Sequence, residues 1–249
     1  MKRPLIFIIT SFCLVFMISL IRSKGKDLDE IKKRLIPKIK KELEEKDLEF
    51  GSKVFIRIFK EEKILEIWLQ EKEKKTFRFF KSFPICNYSG YLGPKLQEGD
   101  LQAPEGFYSV DKSKMNPNSK FHLSFNLGFP NPLEIDLGRT GSFLMVHGGC
   151  VSTGCFAMTN KWIEEIYLIA EASLESGHHS FDVHSFPFRM STKNMEKVSN
   201  QKWQAFWENL KQGYDWFESK KIPPYVDYEN KLYTFKDAFK VLIVVLITP

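Results

Sequence analysis

The chain has 249 residues, which is enough for one large domain or two small ones with a sizeable hydrophobic core. With 43% apolar and 27% charged residues, it is neither a disordered chain nor a polytopic membrane protein. The formal net charge is +6, but residues 1–24 hold four basic residues and no acidic one, so only +2 remains for residues 25–249. This balance disfavours a protein that binds nucleic acid.

Residues 1–24 predict export from the cytoplasm. Lys2 and Arg3 precede an apolar run from Leu5 to Ile21, the pattern of the charged and hydrophobic regions of a signal peptide. As a helix this run would rise about 26 Å, slightly less than a hydrocarbon core of ~30 Å. No small-x-small cleavage site follows it, so a cleaved signal peptide and an uncleaved anchor in the cytoplasmic membrane are both open. Either one places the rest of the chain in the periplasm or cell envelope.

A solvated helix is predicted within residues 25–50. From Asp27 to Lys46, apolar residues recur at steps of three and four among lysines and glutamates. They are Leu28, Ile31, Leu35, Ile36, Ile39 and Leu43. We expect this apolar stripe to pack on the following domain or to space it from the membrane, and a helix lying on the membrane surface is the alternative.

From Lys53 onward the pattern changes from helix to strand. β-branched and aromatic runs between charged turns predict strands. These runs are Val54–Phe59, Ile64–Leu69, Thr76–Phe80, Phe107–Val110, Phe121–Leu127 and Ser142–Val146. Glycine and proline predict repeated turns from Pro84 to Gly106, and Lys112–Lys120 is predicted to be a loop.

Two further stretches, Lys161–Ser173 and Lys202–Glu218, have helical periodicity. The aromatic residues of the second stretch have helical spacing and are predicted to be core residues rather than a glycan-stacking platform. The tail Val241–Ile247 is apolar but too short to span a bilayer. The predicted fold is therefore α+β and β-rich, with helices at its edges.

Reactive side chains concentrate between Phe143 and Thr159. A predicted strand ends at His147, and a glycine-rich turn leads to Cys155 at the start of a predicted helix. A neighbouring imidazole or a helix N-terminus would lower the pKa of the thiol, and amides near Gly154 and Cys155 could form an oxyanion hole. A buried cysteine beside a structural histidine is the alternative.

The number of cysteines supports a reactive thiol. Removal of the signal segment leaves Cys86, Cys150 and Cys155, an odd number, so at least one thiol stays unpaired within an exported chain. No Cys/His spacing in the sequence indicates a metal site, and no cofactor is expected.

The pattern of His147-Gly148 followed by Ser152-Thr153-Gly154-Cys155 resembles the catalytic domain of the L,D-transpeptidase family (YkuD-like). Further blocks are similar to the YafK-like branch of that family. They are Pro84-Ile85-Cys86, Leu92-Gly93-Pro94-Lys95, Pro104-Glu105-Gly106-Phe107-Tyr108, Gly138-Arg139-Thr140-Gly141 and Val183-His184-Ser185-Phe186-Pro187-Phe188-Arg189-Met190. Two departures matter. Thr153 stands where the family has a second histidine, and the gap from His147 to Cys155 is shorter than in the broad family.

The resemblance implies a β-sandwich or barrel catalytic core at residues 51–190, with a C-terminal helical extension and tail at 191–249. It also implies cysteine acyl transfer on peptidoglycan stem peptides. Cys155 would be the nucleophile and His147 the general acid and base, with the Gly148 carbonyl orienting the imidazole. Ser152, Thr153 and Gly154 would complete the turn around the oxyanion.

Four other residues receive roles from position and chemistry. Arg139 and Arg189 are candidates for binding a stem-peptide carboxylate, since a guanidinium group suits that partner, although Arg189 is the more structural of the two. His184 lies in an apolar stretch and is predicted to be a core histidine, with a substrate contact as the alternative. Cys150 is predicted not to be the nucleophile, and pairing with Cys86 is open.

The acyl acceptor also stays open. It would be the amine of another stem peptide, a lysine of a wall-attached lipoprotein, or water. We expect transfer to an amine, because aromatic residues crowd the site and the Lys112–Lys120 loop is placed to close over a bound peptide. A hydrolase and a non-catalytic wall-binding module are the alternatives.

Overall fold

The computed structural model describes residues 28–199 and 201–237. The predicted signal peptide or anchor and the apolar tail Val241–Ile247 lie outside these residues. Within the described ranges, no helix is long and apolar enough to cross a membrane.

The first of two five-stranded sheets has the strand order β3-β2-β1-β10-β5. Its strands are β1 (Val54–Phe59), β2 (Ile64–Gln70), β3 (Phe77–Pro84), β5 (Gly106–Asp111) and β10 (Ser180–Phe186). Neighbours are antiparallel except β1 and β10, which run parallel. The strands predicted in this part of the chain are confirmed, because alternating β-branched and aromatic residues suit a pleated, buried surface.

The second five-stranded sheet has the order β4-β9-β8-β7-β6 and carries the predicted reactive residues. Its strands are β4 (Asn87–Tyr88), β6 (Met115–Ser119), β7 (His122–Asn126), β8 (Met145–His147) and β9 (Phe156–Ala157). One apolar core joins both sheets. The predicted α+β class is confirmed, and both sheets are open, so the described residues form no closed barrel.

The predicted Lys112–Lys120 loop is wrong. A short 3-10 turn (Lys112–Lys114) leads directly into β6, which pairs with β7 through Met115↔Phe125 and Asn116↔Ser124. The strand tolerates Pro117 because it is an edge strand and because the register shifts between Asn116 and Ser119. This segment is therefore part of a sheet and does not form a free lid.

The described residues form five helices: α1 at 28–44, α2 (Pro132–Asp136), α3 (Asn160–Glu175), α4 (Thr192–Glu196) and α5 (Gln204–Lys220). The predicted helices in the three longer stretches are confirmed. The apolar stripe of α1 joins the main core, and its polar side pairs with α3 through Lys32–Glu171 and Arg34–Glu164. Helix α1 is therefore packed on the domain.

The C-terminal part is helical only up to Lys220. A hairpin follows, made of β11 (Tyr225–Glu229) and β12 (Leu232–Lys236), within the stretch predicted as a helical extension and tail. Asn230 and Lys231 both have positive φ, as a two-residue hairpin turn of type I′ requires. Of the aromatic residues predicted to be core here, Trp207 and Phe217 are fully buried, whereas Trp203, Phe206 and Trp216 are partly buried.

Candidate active site

His147 is the last residue of β8, in the middle of the second sheet. It pairs with Ser124 on β7 and with Ala157 on β9, and its side chain is buried. The Nδ1 atom lies 2.6 Å from the Gly148 carbonyl oxygen. Because a carbonyl only accepts, Nδ1 carries the proton and Nε2 is left as the free base. The Gly148 carbonyl therefore orients the imidazole.

Cys155 lies immediately before β9, where the chain returns beside β8. The Met145 amide donates to Sγ at 3.4 Å, and the thiol lies 3.6 Å from the Phe143 carbonyl oxygen. Met145 and His147 are two residues apart on one strand, which is roughly 7 Å. The second sheet thus brings the thiol and the imidazole to neighbouring positions along β8.

The surroundings keep both groups neutral. Burial raises the pKa of the Cys155 thiol, opposed by the hydrogen bond from the Met145 amide and by the charge of Lys95. Burial lowers the pKa of His147, opposed by the bond to the Gly148 carbonyl. At neutral pH the pair is therefore a thiol and a neutral imidazole rather than a thiolate and an imidazolium.

The expected lowering of the thiol pKa by a helix N-terminus is wrong. Helix α3 begins at Asn160, capped by the Thr159 side chain, and strand β9 lies between this cap and Cys155. The helix dipole acts over the first turn only. Burial is therefore the dominant influence on the thiol.

A neutral pair has a distinct pH signature. We expect alkylation of Cys155 by iodoacetamide to accelerate steadily up to and beyond about pH 8.5, the ordinary pKa of cysteine, because the raised pKa delays thiolate formation. We also expect the acid limb of kcat/KM to lie below about pH 6.5, because a lowered histidine pKa leaves the base unprotonated at lower pH.

Peptide mass spectrometry assigns the label to Cys155, and Cys155→Ala is the control. An alkylation rate that is flat between about pH 5 and pH 7 would reveal a preformed thiolate and contradict this assignment.

Two glycine positions and two hydrogen bonds shape the turn between His147 and Cys155. A Cβ atom on Gly148 would lie 2.6 Å from the Phe121 carbonyl oxygen, so only glycine fits there. The Gly149 amide donates to Asn160 Oδ1 at 2.8 Å, and the Ser152 hydroxyl donates to the Cys155 carbonyl at 2.7 Å. Gly154 has φ +114°, a conformation that favours glycine.

A disulfide between Cys86 and Cys150 ties the same turn to the start of β4, with 5.4 Å between the Cα atoms. The Cys86 amide donates to the Ala157 carbonyl at 2.9 Å, which anchors the other end of the bridge beside β9. Cys155 is the free cysteine of the described residues. Its thiol is therefore available for chemistry, whereas Cys150 is not.

Two residues near the site were not among those given site roles from the sequence. The ring of Phe121 lies against the imidazole of His147, with 4.7 Å between ring centroids and ring planes tilted by 31°. Lys95 is buried, with Nζ 2.5 Å from Asp100 Oδ1, and its charge partly opposes the rise in the pKa of Cys155 that burial causes. Lys95 belongs to one of the blocks that carry the family resemblance, whereas Phe121 depends on the fold of the β6–β7 hairpin.

We expect Phe121→Ala to lower kcat by about three- to tenfold with little change in KM, because aromatic pairs contribute ~0.5–1.5 kcal/mol to holding a ring. Steady-state kinetics with a stem-peptide substrate measures this. Phe79→Ala is the matched control, since Phe79 is similarly exposed but contacts Trp68 edge-on. An equal loss in both variants would exclude a specific role for Phe121.

Of the three remaining candidates, the two arginines pair with glutamates and the histidine is packed in the core. Arg139 Nη1 lies 3.6 Å from Glu134 Oε1, and its guanidinium group covers the ring of Phe206. Arg189 pairs with Glu66 on β2 at 2.5 Å. His184 is buried on β10. The contacts of Arg189 and His184 are with the first sheet, whereas Cys155 and His147 belong to the second.

Thr153 is exposed at the surface of the turn. Within the described ranges, no cluster of three or more His, Cys, Asp or Glu side chains is arranged to hold a metal ion.

The protein named "Putative L,D-transpeptidase YafK" from Escherichia coli strain K12 is 44% identical to this chain over 183 residues, which cover 74% of each protein. No protein-family model matches. The chain belongs to the L,D-transpeptidase family. Within that family it belongs to the YafK-like branch, as its sequence blocks indicated.

Two solved structures resemble the fold at 18% identity. The helical cell shape determining protein Pgp2 from Campylobacter jejuni has a TM-score of 0.43, covering 77% of this chain and 80% of that one. Bdellovibrio bacteriovorus Bd1075 has a TM-score of 0.38, covering 72% and 78%. The assignment to the family does not depend on either likeness.

Proposed function

We propose that the protein is a cysteine acyltransferase of the cell envelope that acts on peptidoglycan stem peptides as an L,D-transpeptidase. The observation that carries this proposal is the free thiol of Cys155, bonded to β8 two residues from an imidazole whose Nδ1–H is held by Gly148. A wall-binding module needs neither a free thiol nor an oriented base. Export through residues 1–24, with or without an anchor, belongs to the same proposal.

The first half-reaction forms a thioester. Sγ of Cys155 attacks the carbonyl carbon of the third stem residue, a diaminopimelate in this proposal, while the thiol proton passes to Nε2 of His147. The tetrahedral intermediate collapses with cleavage of the C–N bond, and the imidazolium returns the proton to the leaving amine of D-alanine. Because both groups start neutral, the proton moves during the attack.

In the second half-reaction, His147 takes a proton from the incoming amine as the amine attacks the thioester carbon. The C–S bond then breaks, and the imidazolium returns the proton to the leaving sulfur of Cys155. Backbone amides of Gly154 and Cys155 are our candidates for stabilising both oxyanions, since the positive φ of Gly154 turns the backbone sharply next to the sulfur. An amine from another stem peptide gives a crosslink, and a lysine amine attaches a lipoprotein.

Hydrolysis is the second candidate function, because the expected shielding from water is incomplete. Lys112–Lys120 is part of a sheet, and of the aromatic residues expected to crowd the site, Phe125, Phe156 and Phe186 are fully buried in the core. Phe143, next to the sulfur, is exposed. An open site admits water to the thioester, giving an L,D-carboxypeptidase or an amidase that releases wall-linked groups.

Product analysis separates the two. With a tetrapeptide muropeptide and a competing amine, we expect loss of D-alanine and an amine-exchanged or crosslinked product, because a bound amine reaches an effective molarity above the roughly 55 M of water. Mass spectrometry identifies the products, and Cys155→Ala is the control. If tripeptide is the only product at saturating amine, or if a preformed crosslink is cleaved, the transferase proposal is wrong and the hydrolase proposal takes its place.

A further inference from the structure

Residues 91–103 form a loop beside the catalytic turn, here called the Lys95 loop. Its backbone contacts Gly154, the residue before the candidate nucleophile. A Cβ atom on Gly154 would lie 3.5 Å from the Gln102 carbonyl oxygen, which is an ordinary van der Waals contact. The Lys95 loop is therefore one wall of the candidate active site.

The loop is also bonded to the segment that leads into β8. The Thr140 amide donates to the Leu96 carbonyl at 3.1 Å, and the Glu98 amide donates to the Thr140 hydroxyl at 3.0 Å. Phe143 follows in the same segment, and its carbonyl oxygen lies 3.6 Å from the Cys155 sulfur. The Lys95 loop thus contacts the backbone segments on both sides of the sulfur.

A buried ammonium group fixes both ends of the loop to the first sheet. Lys60 follows β1, and its side chain is 0% exposed. Its Nζ atom donates to Glu105 Oε1 at 2.9 Å. It also donates, at 2.7, 3.1 and 3.0 Å, to three carbonyl oxygens of the loop, those of Tyr91, Gly93 and Ala103. The ends of the loop are therefore held by contacts that do not involve Lys95.

Lys95 is a second buried cation, and its side chain is 4% exposed. Its Nζ atom donates to Asp100 Oδ1 at 2.5 Å and to the Gln97 carbonyl at 2.9 Å. Its aliphatic stem packs against Gly141, since a Cβ atom on this glycine would lie 2.6 Å from Lys95 Cε. The cation is thus enclosed between its own loop and the segment that leads into β8.

The charge of Lys95 is only partly cancelled by its partner. The Asp100 carboxylate is shared with three backbone amides, which donate to it at 2.9, 3.1 and 3.0 Å and belong to Leu96, Gln97 and Gln102. The charge of Asp100 also acts on Lys60. The other acidic group nearby, Glu98, is exposed, so solvent screens it. Positive charge therefore remains beside the catalytic turn.

This charge reaches the sulfur. Burial raises the pKa of Cys155, and the charge of Lys95 opposes that rise. A charge in a low-dielectric interior acts on a neighbouring group without touching it. In the proposed reaction the sulfur carries negative charge twice, when its proton passes to His147 during the attack and when the C–S bond breaks.

We propose that Lys95 is a positioning residue for the nucleophile: its buried charge stabilises the sulfur of Cys155 when the sulfur is negative, and the Lys95 loop holds that charge in place through Lys60 and Thr140. Because Lys95 is buried, it acts through Cys155 and not by contact with the substrate. Its role in catalysis rests on the proposed function, whereas its effect on the thiol is measurable without turnover.

Alkylation of Cys155 by iodoacetamide as a function of pH tests the charge in the full chain. Lys95→Met keeps a side chain of similar length without its charge, so we expect the midpoint of the alkylation profile to rise by about 0.5 to 1 pH unit. Asp100→Asn leaves the Lys95 charge without its counter-charge, so we expect the midpoint to fall. Lys114→Met is the matched control and leaves the midpoint unchanged, since Lys114 is also bonded to a backbone carbonyl and paired with an aspartate.

Opposite shifts separate the charge from a structural role, because loosening of the loop by either variant would move the midpoint in one direction. We also expect Lys95→Met to lower kcat for D-alanine release about five- to tenfold with little change in KM. An unchanged midpoint in Lys95→Met, or shifts of the same sign in the two variants, overturns the proposal. If thermal unfolding shows that Lys95→Met does not fold, an unchanged or raised midpoint in Asp100→Asn overturns it alone. Opposite shifts in a protein that releases no D-alanine would refute the proposed function and leave the effect of Lys95 on the thiol standing.

Discussion

Cys155→Ala and His147→Gln are each expected to lower the rate of D-alanine release by about 10³-fold or more, because the nucleophile and its base act as a unit. The double variant is expected to release D-alanine about as fast as the slower of the two single variants, since the effects of such coupled groups are not additive. Release is measured by mass spectrometry of a tetrapeptide muropeptide under single-turnover conditions.

The fold is expected to survive the loss of the thiol. The Cys155 sulfur contacts the backbone at Met145 and Phe143, and neither contact holds two strands together alone, because β8 also pairs with β7 and β9. Circular dichroism of Cys155→Ala checks this directly. Parental turnover by that variant, or an acyl group mapped to Cys150 by peptide mass spectrometry, would refute the assigned nucleophile.

Replacing Cys86 and Cys150 together by serine is expected to lower the free energy of unfolding by about 4 kcal/mol in the chain-entropy account, since the bridge closes a loop of 64 residues. The same change is expected to lower kcat by roughly 10- to 100-fold, because the turn that leads to Cys155 loses its tether to β4. Urea denaturation in the Cys155→Ala background measures stability without thiol exchange.

Reduction of the parental disulfide is the matched control and should reproduce the loss of stability seen in the double serine variant. If the variant instead unfolds within about 0.5 kcal/mol of the parent and retains its kcat, the bridge has neither a structural nor a positioning role. If stability falls while kcat stays unchanged, the turn is positioned by Asn160 and Ser152 alone.

Much of the secondary structure was predictable because its signals are local. The alternation in Val54–Phe59 and Ile64–Gln70 and the helical periods of Asn160–Glu175 and Gln204–Lys220 can be read within single segments. The fold class followed from them. The motif around His147 and Cys155, with its linked blocks, also determined the family from sequence alone. Residue types at fixed spacing can be recognised without knowledge of the fold.

Segments whose structure depends on a distant partner were mispredicted. Met115–Ser119 contains proline and asparagine, and it is a strand only because it pairs with β7. Phe156–Ala157 lies where a helix was predicted to start, but parallel pairing with β8 holds it as a strand. Short segments have weak local preferences, so long-range hydrogen bonds decide their conformation.

The sequence by itself determined the family and the α+β class, and it predicted the Cys155–His147 pair. Only the tertiary structure decided the protonation of these two groups, because the raised thiol pKa and the lowered imidazole pKa both come from burial. It also decided the pairing of Cys86 with Cys150 and the contact of the Phe121 ring with His147. These contacts join residues far apart in the chain, and burial and proximity between such residues are properties of packing that no local pattern encodes.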